Sequence, residues 1–197
     1  MARRTRRTAG DGQGGGDDRS EEEPADPIRQ AKDVCLRLLT SRPRTRAELH
    51  QALLRKGFEE DTAEHVLGRL DKAGLVDDAS FAEMWVRSRH THQGLGRKAL
   101  AAELRRKGVD DAVTAQAVAE VDSAAEAERA RELVRKKLRG MSASSSVDDA
   151  AKVRRLVGML ARKGYPEGLA FRVVREELRA AGAESTPLDD AVPGSLD

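Results

Sequence analysis

Aromatic residues are scarce in this sequence: one tryptophan, one tyrosine and three phenylalanines make up 3% of 197 residues. A single aromatic-rich core is therefore excluded. Charged residues reach 36%, which is typical of helices that each bury a narrow apolar stripe. Cys35 is the only cysteine, so an intrachain disulfide and a multi-cysteine metal site are excluded. No apolar run is long enough to cross a bilayer, and we expect a cytoplasmic protein without membrane contact.

The net charge of +2 hides an uneven distribution. Residues 1–26 hold five Arg against seven Asp or Glu, and residues 183–197 hold four acidic residues and no basic ones. Since the whole chain has 36 basic and 34 acidic residues, 31 and 23 remain in residues 27–182. We expect a disordered N-terminal tail over residues 1–26 and an acidic C-terminal tail over residues 183–197. The middle of the chain suits an anionic partner.

Three segments of the middle share one pattern of residues. Gly57, Gly108 and Gly164 each follow a lysine, and each precedes an apolar residue. Leucines stand four and eight residues before each glycine: Leu53, Leu104 and Leu160, and Leu49, Leu100 and Leu156. This periodicity predicts an all-α protein of three tandem three-helix repeats that form an elongated, curved, solenoid-like structure. The predicted repeats are residues 27–76, 77–121 and 122–182.

Local signals predict where helices begin inside the repeats. Thr45 and Glu48 have the spacing of a capping box, and Asp77 or Asp78 is expected to cap the helix that follows it. The first helices of the three repeats are predicted over residues 28–40, 79–92 and 123–139. Four residues of the second one recur at helical spacing, so that the two largest apolar side chains are expected to share one face: Phe81, Met84, Trp85 and Ser88.

The central repeat also resembles a known family. The residues that carry the likeness are Gly74-Leu75-Val76-Asp77-Asp78, Phe81-Ala82, Trp85-Val86-Arg87-Ser88-Arg89, Gly94, Arg97, Leu100, Glu103-Leu104 and Lys107-Gly108-Val109. They are similar to the signature of the RecX regulatory proteins of bacteria, and the likeness extends over nearly the whole middle of the chain. The resemblance implies a non-enzymatic inhibitor of the RecA recombinase. Such a protein binds the RecA filament on single-stranded DNA and limits its ATPase and strand exchange, in recombination, DNA repair and the SOS response. We expect a monomer without cofactors.

Six basic residues are the candidates for contact with the partner, which is the RecA filament or DNA. They are Arg44, Arg46, Arg87, Arg89, Arg97 and Lys98. Four of them flank the starts of second helices in the first two repeats, where the helix dipole disfavours a cation by about 0.3–1 kcal/mol. A local cost at two equivalent positions indicates use. The other two leave the face that carries Trp85. Either an acidic protein surface or DNA phosphate fits such cations.

The residues alone leave two other functions open. The second and third helices of each repeat form a helix-turn-helix-like hairpin, which suits direct, sequence-specific DNA binding. Acidic first turns argue against that alternative, because they would face phosphates with like charge. The third alternative is a scaffold for unrelated proteins. His90 and His92 are two residues apart and fall on different helix faces, so we expect no metal site. No nucleophile has a base at a suitable spacing, so we expect no enzyme.

Overall fold

The computed structural model describes residues 26–141 and 149–181. These residues form nine α-helices and one π-helical segment, and they contain no strand. The helices are α1 Pro27–Ser41, α2 Arg46–Arg55, α3 Glu60–Lys72, α4 Asp78–Ser88, α5 Arg97–Arg106, α6 Asp111–Ala119, α7 Ser123–Met141, α8 Asp149–Arg162 and α9 Glu167–Ala180. The π-helical segment is Arg89–Gln93. In this part of the chain no helix is both long and apolar enough for a membrane span. The predicted all-α class is confirmed.

Each set of three successive helices encloses its own apolar core. We call α1–α3 unit 1, α4–α6 with the π-helical segment unit 2, and α7–α9 unit 3. The recurring leucines lie at the core centres, and none of them has exposed surface: Leu49, Leu53, Leu100, Leu104, Leu156 and Leu160. Burying each such side chain contributes about 1.5–3 kcal/mol. Units of this size are marginal alone, so contacts with neighbours must add stability. The three tandem three-helix repeats are confirmed.

The helix starts follow the local capping chemistry of the sequence. The Thr45 hydroxyl accepts a hydrogen bond from the Glu48 N–H at 3.1 Å, and the Glu48 carboxylate accepts one from the Thr45 N–H at 3.3 Å. This reciprocal pair is the predicted capping box. At α4 the cap is Asp77, whose carboxylate accepts from the Ser80 N–H at 2.9 Å. Asp78 is therefore free for another contact, described below.

Residues 79–92 are helical throughout, as predicted, but α4 differs from the sequence pattern in two details. The predicted helix over residues 79–92 is α-helical only to Ser88 and continues as the π-helical segment, which Gly94 ends with a φ of 63°. Phe81 is buried, but Met84 is 48% exposed and Ser88 also faces solvent. The buried residues of α4 are Phe81, Ala82 and Val86, and around the helix axis they span an arc with Phe81 at one edge and Val86 at the other. At about 100° per residue, Met84 lies about 60° beyond the edge of that arc.

The predicted tails fall outside the described residues, apart from one position. Asp26, the last residue of the predicted N-terminal tail, caps α1 by accepting a hydrogen bond from the Ile28 N–H at 2.9 Å. Residues 1–25 and 182–197 lie outside the description.

Candidate partner-binding surface

The first junction joins the start of α2 in unit 1 to the turn after α5 in unit 2. The Thr45 hydroxyl donates to the Lys107 carbonyl at 2.6 Å, across 62 residues of sequence. The Lys107 ammonium pairs with the Glu48 carboxylate at 2.9 Å. Gly108 lies directly against Ala47, and a β-carbon on Gly108 would collide with the Ala47 methyl group. The lysine–glycine pair of unit 2 is thus a docking point for unit 1.

Two partly buried carboxyl groups at this junction have shifted pKa values. Burial alone would raise the pKa of the Glu48 carboxyl, but the Lys107 ammonium, the Thr45 N–H and the Arg42 guanidinium outweigh it and hold that pKa below its usual range. At Asp78 the balance between burial and hydrogen bonding is the opposite, and the pKa is raised. Burial raises the pKa of its carboxyl, even though the carboxylate accepts a hydrogen bond from the Arg46 N–H at 2.9 Å.

Trp85 lies beside the first junction, in contact with two cations. Its ring is stacked on Phe81 with centroids 5.6 Å apart, and the Arg89 guanidinium and the Lys107 ammonium each lie 4.2 Å from its centroid. The indole N–H donates to the Glu103 carboxylate at 2.8 Å, and this carboxylate also pairs with Arg89 at 3.2 Å. Trp85 is partly exposed. It is therefore the centre of a cation–π cluster at the edge of the core.

The second junction repeats the arrangement between units 2 and 3. The Gly96 N–H at the start of α5 donates to the Lys163 carbonyl at 2.8 Å. The Lys163 ammonium donates to the Gln93 carbonyl at 2.6 Å. Tyr165, 3% exposed, donates its hydroxyl to the Gly94 carbonyl at 3.1 Å, and burial raises the pKa of this hydroxyl well above its usual value. In both junctions, therefore, a helix start meets the lysine–glycine turn of the next unit.

The junctions explain why arginine is tolerated at two helix starts. The Arg46 N–H donates a hydrogen bond to the Asp78 carboxylate, and the Arg97 N–H donates one to the Glu126 carboxylate at 2.8 Å. In each case the next unit supplies a carboxylate to the positive end of the helix, where an anion is favoured. The cost that the sequence assigned to these arginines is thus offset within the chain. Of the six candidate residues, Arg46 also forms side-chain ion pairs with acidic residues of α3.

The remaining candidates divide into engaged and unengaged cations. Arg44 donates to the Leu38 carbonyl at 3.4 Å, and Arg89 belongs to the Trp85 cluster. Arg87, Arg97 and Lys98 have no side-chain hydrogen bond or ion pair within the described residues. Arg87 and Lys98 are exposed, and Arg97 is partly exposed. The structure places Arg44 and Arg46 at the first junction, and Arg97 and Lys98 at the second.

A basic cleft at the second junction is a feature that the sequence reasoning missed. It has a volume of about 470 Å³ between the π-helical segment, α7 and the turn after α8. Its lining residues are His92, Gln93, Arg129, Glu132, Leu133, Arg135, Lys136, Arg139 and Lys163. Three of its cations, at positions 135, 136 and 139, have the spacing of one helix face, which is a signal in the sequence. The position of the Lys163 ammonium in the cleft depends on the junction, because this group donates to the Gln93 carbonyl of unit 2.

A second cleft adjoins this one on unit 2. Its volume is about 440 Å³, and its lining residues are Ser80, Glu83, Met84, Arg87, Ser88, Thr91 and His92. His92 lines both clefts. The unengaged Arg87 and the exposed Met84 therefore belong to a surface that continues into the basic cleft.

One group of side chains has the composition of a metal site. Within the described residues, ligand atoms of His50, Glu60 and Glu64 lie within 4.8 Å of one another. The His50 Nε2 is 2.8 Å from the Glu60 carboxylate, and Glu64 also pairs with Arg46. A hydrogen-bonded histidine and a competing guanidinium account for this arrangement as a surface ion-pair network. His90, by contrast, uses its Nδ1 against the Leu95 carbonyl at 2.9 Å.

Three family models match the chain, and each coincides with one unit. They describe the first three-helix domain of RecX over residues 31–70, the second over residues 77–118 and the third over residues 124–174. Two crystal structures share the fold. The RecX structure from Lactobacillus salivarius has a TM-score of 0.70 at 24% identity and covers 78% of this chain and 97% of its own. A second crystal structure, of a regulatory protein RecX, has a TM-score of 0.68 at 22% identity and covers 78% of this chain and 73% of its own.

Curated relatives are similar over most of their length. The regulatory protein RecX of Amycolatopsis mediterranei is 61% identical over 169 residues, which cover 86% of this chain and 95% of that protein. The proteins of the same name from Streptomyces coelicolor and Mycolicibacterium smegmatis are 50% and 53% identical, and the matches cover 88% and 87% of their lengths and 86% and 85% of this chain. The resemblance read from the central repeat is confirmed, and this chain belongs to the RecX family of regulatory proteins.

Proposed function

We propose that this chain regulates the RecA recombinase, mainly as an inhibitor. It binds the RecA filament on single-stranded DNA and limits ATP hydrolysis and strand exchange in recombination, DNA repair and the SOS response. The observation that carries this proposal is the set of unengaged cations on unit 2, Arg87, Arg97 and Lys98. We further propose that the chain acts as a monomer in the cytoplasm, which light scattering and cell fractionation test.

The unengaged cations support a filament as the target. An exposed cation without an internal partner gains most from an anionic surface, and it also speeds the encounter with that surface. A recombinase filament on DNA presents both acidic protein side chains and phosphates. The other three candidates, Arg44, Arg46 and Arg89, are engaged inside the chain, and we expect them to contribute less to binding.

Direct, sequence-specific DNA reading is the alternative, and the charges of the candidate recognition helices argue against it. The start of α3 exposes Glu60 and Asp61, and the start of α6 exposes Asp110 and Asp111. A recognition helix inserts its N-terminal part into the major groove between phosphates. Four carboxylates at these two starts would be repelled there.

The test is the rate of RecA ATP hydrolysis on single-stranded DNA, titrated with this protein. The variant Arg97→Gln with Lys98→Gln removes two unengaged charges and leaves Glu126 bound to the N–H of residue 97. Substitution of glutamate at position 97 would instead place two carboxylates together. The matched control is Arg154→Gln with Arg155→Gln, an exposed pair on α8 that is likewise unpaired among the described residues.

We expect the half-inhibitory concentration to rise about fivefold or more for the α5 variant and less than about twofold for the control. Inhibition by the α5 variant should also depend less on salt. If the folded variant inhibits like the parent, the contact lies elsewhere on the chain. If the parent itself does not slow ATP hydrolysis, the proposed function is wrong.

A further inference from the structure

The basic cleft at the second junction has far more positive than negative charge. Its lining includes five Lys or Arg side chains and one carboxylate, Glu132. Two of the cations are engaged. Arg129 pairs with Glu132 and donates to the carbonyls of His90 and Thr91, and Arg135 pairs with acidic residues of α7 and α9. The engaged pair orders the walls of the cleft, and the other three cations supply its net charge.

Those three cations are Lys136, Arg139 and Lys163. Lys136 and Arg139 are exposed and have no ion pair within the described residues. They are three residues apart, so they lie on one face of α7. Lys163 donates only to the neutral Gln93 carbonyl, which leaves its charge uncompensated. Three positive charges of unit 3 therefore meet in a single concave surface, to which unit 2 adds His92 and Gln93.

Helix ends near the cleft do not cancel this charge. The C-terminus of a helix presents carbonyls that repel anions, and the π-helical segment ends here. Three of its carbonyls and that of the capping Gly94 are occupied: Lys163 donates to Gln93, Arg129 to His90 and Thr91, and Tyr165 to Gly94. At these four positions a ligand in the cleft would thus meet ammonium, guanidinium or phenol groups and not free carbonyl oxygens.

The cleft continues into the second one, which favours a linear ligand. His92 lines both, and the lining of the second cleft includes one unengaged cation, Arg87, and one carboxylate, Glu83. The second cleft also exposes Met84, 48% of whose surface is accessible. The flexible thioether of Met84, in one cleft with the Arg87 guanidinium and serine hydroxyl groups, suits contact with the face of an unpaired base. A small phosphate compound would fill only one of the two clefts.

We propose that the two clefts together bind the backbone of a single-stranded nucleic acid, with consecutive phosphates at Lys136, Arg139 and Lys163 and a base over Met84. This binding needs no recombinase. The proposal rests on the proposed function only for the choice of nucleic acid as the polyanion. Since the basic cleft bridges units 2 and 3, the bound strand also holds these units together.

The test is the fluorescence anisotropy of a labelled oligothymidine, without recombinase, at several salt concentrations. The variant is Lys136→Gln with Arg139→Gln, and the control is again Arg154→Gln with Arg155→Gln on the same unit. All four positions are exposed, and glutamine is a good helix former. Circular dichroism melts check folding, and Arg139→Gln alone is used if the double variant melts early.

We expect the dissociation constant to rise about fivefold or more in the cleft variant and less than about twofold in the control. The slope of log affinity against log salt should fall by about 1.4, or 0.7 for each lost phosphate contact on a single strand. Equal losses in both variants, or no binding by the parent at low salt, would overturn the proposal. Competition by ATP or by polyglutamate at matched charge would also overturn it, in favour of a small phosphate or an acidic protein. A variant that loses oligothymidine binding but still inhibits the recombinase separates this proposal from the proposed function.

Discussion

Substituting alanine at three equivalent glycines should separate the cost of the turn from the cost of the junction. Gly57, Gly108 and Gly164 all have positive φ, at 86°, 76° and 85°. An alanine in this left-handed region costs about 1–2 kcal/mol wherever it is placed. Gly57 has no atom within 4 Å of its added β-carbon. We therefore expect Gly57→Ala to show the turn cost alone.

At the junctions a second cost is added. A β-carbon on Gly164 would lie 2.9 Å from the Ala99 Cα, which is a main-chain atom and cannot rotate away. A β-carbon on Gly108 would collide with the Ala47 methyl group. Overpacking of this kind costs about 1–3 kcal/mol. We therefore expect Gly164→Ala and Gly108→Ala to destabilise the chain by about 2–5 kcal/mol in total.

The assay is urea unfolding, followed by circular dichroism for the whole chain and by Trp85 fluorescence for the first junction. A difference of about 2 kcal/mol at a typical m-value corresponds to about 1 M in the midpoint. In a double-mutant cycle, Ala47→Gly should relieve part of the loss from Gly108→Ala, although a helical glycine itself costs about 1 kcal/mol. Equal destabilisation at all three glycines would refute the reasoning, because the junctions would then be too soft to resist a methyl group.

Three further predictions concern individual side chains. Trp85→Ala should cost about 2–4 kcal/mol of unfolding free energy, because a partly buried ring and two cation contacts are lost. Trp85→Phe should cost about 1 kcal/mol, for the hydrogen bond to Glu103. Equal urea midpoints for the two variants would contradict the cation–π cluster. The pKa of Glu48 is lower in the folded state, so its pairing with Lys107 stabilises the chain at pH values above the ordinary pKa of 4.5, and this stabilisation is lost as the pH falls through the folded pKa. The melting temperature of Glu48→Gln should therefore fall less steeply with decreasing pH than that of the parent. Parallel curves of melting temperature against pH would show that the pair does not matter. Cys35 has no exposed surface, and burial raises the pKa of its thiol. Alkylation of this thiol near pH 8 should therefore be at least about a hundredfold slower in the folded protein than in the urea-unfolded protein. Fast labelling of the folded protein would mean that unit 1 opens readily.

Much of the fold could be read from the sequence because the signals are local. Leu49 and Leu53 are one helical turn apart, so their burial on one face follows from the helical period. Thr45 and Glu48 form their capping box within one turn. The limits of this reasoning appear in α4, where Met84 has the right spacing from Phe81 but lies outside the buried arc.

The candidate site depended more on tertiary structure. The charges of Arg97 and Lys98 oppose a helix dipole, which the sequence shows, yet the carboxylate that offsets this cost, Glu126, comes from the next unit. Lys136 and Arg139 have a readable spacing on α7, but a charged helix face alone is usually solvated. Only the packing of unit 3 against the π-helical segment makes them part of a cleft.

The sequence by itself determined the helices, the three cores and the repeated lysine–glycine turn. It did not determine what each copy of that turn does. Lys56 and Gly57 face solvent, Lys107 joins Glu48 and the Trp85 ring, and Lys163 reaches the Gln93 carbonyl. The physical reason is range: helix period and capping act within one turn, whereas the junction partners are far apart in sequence, from 29 residues between Arg97 and Glu126 to 71 between Gly94 and Tyr165. Such pairs meet only where the packing of the units places each turn against the helix start of its neighbour.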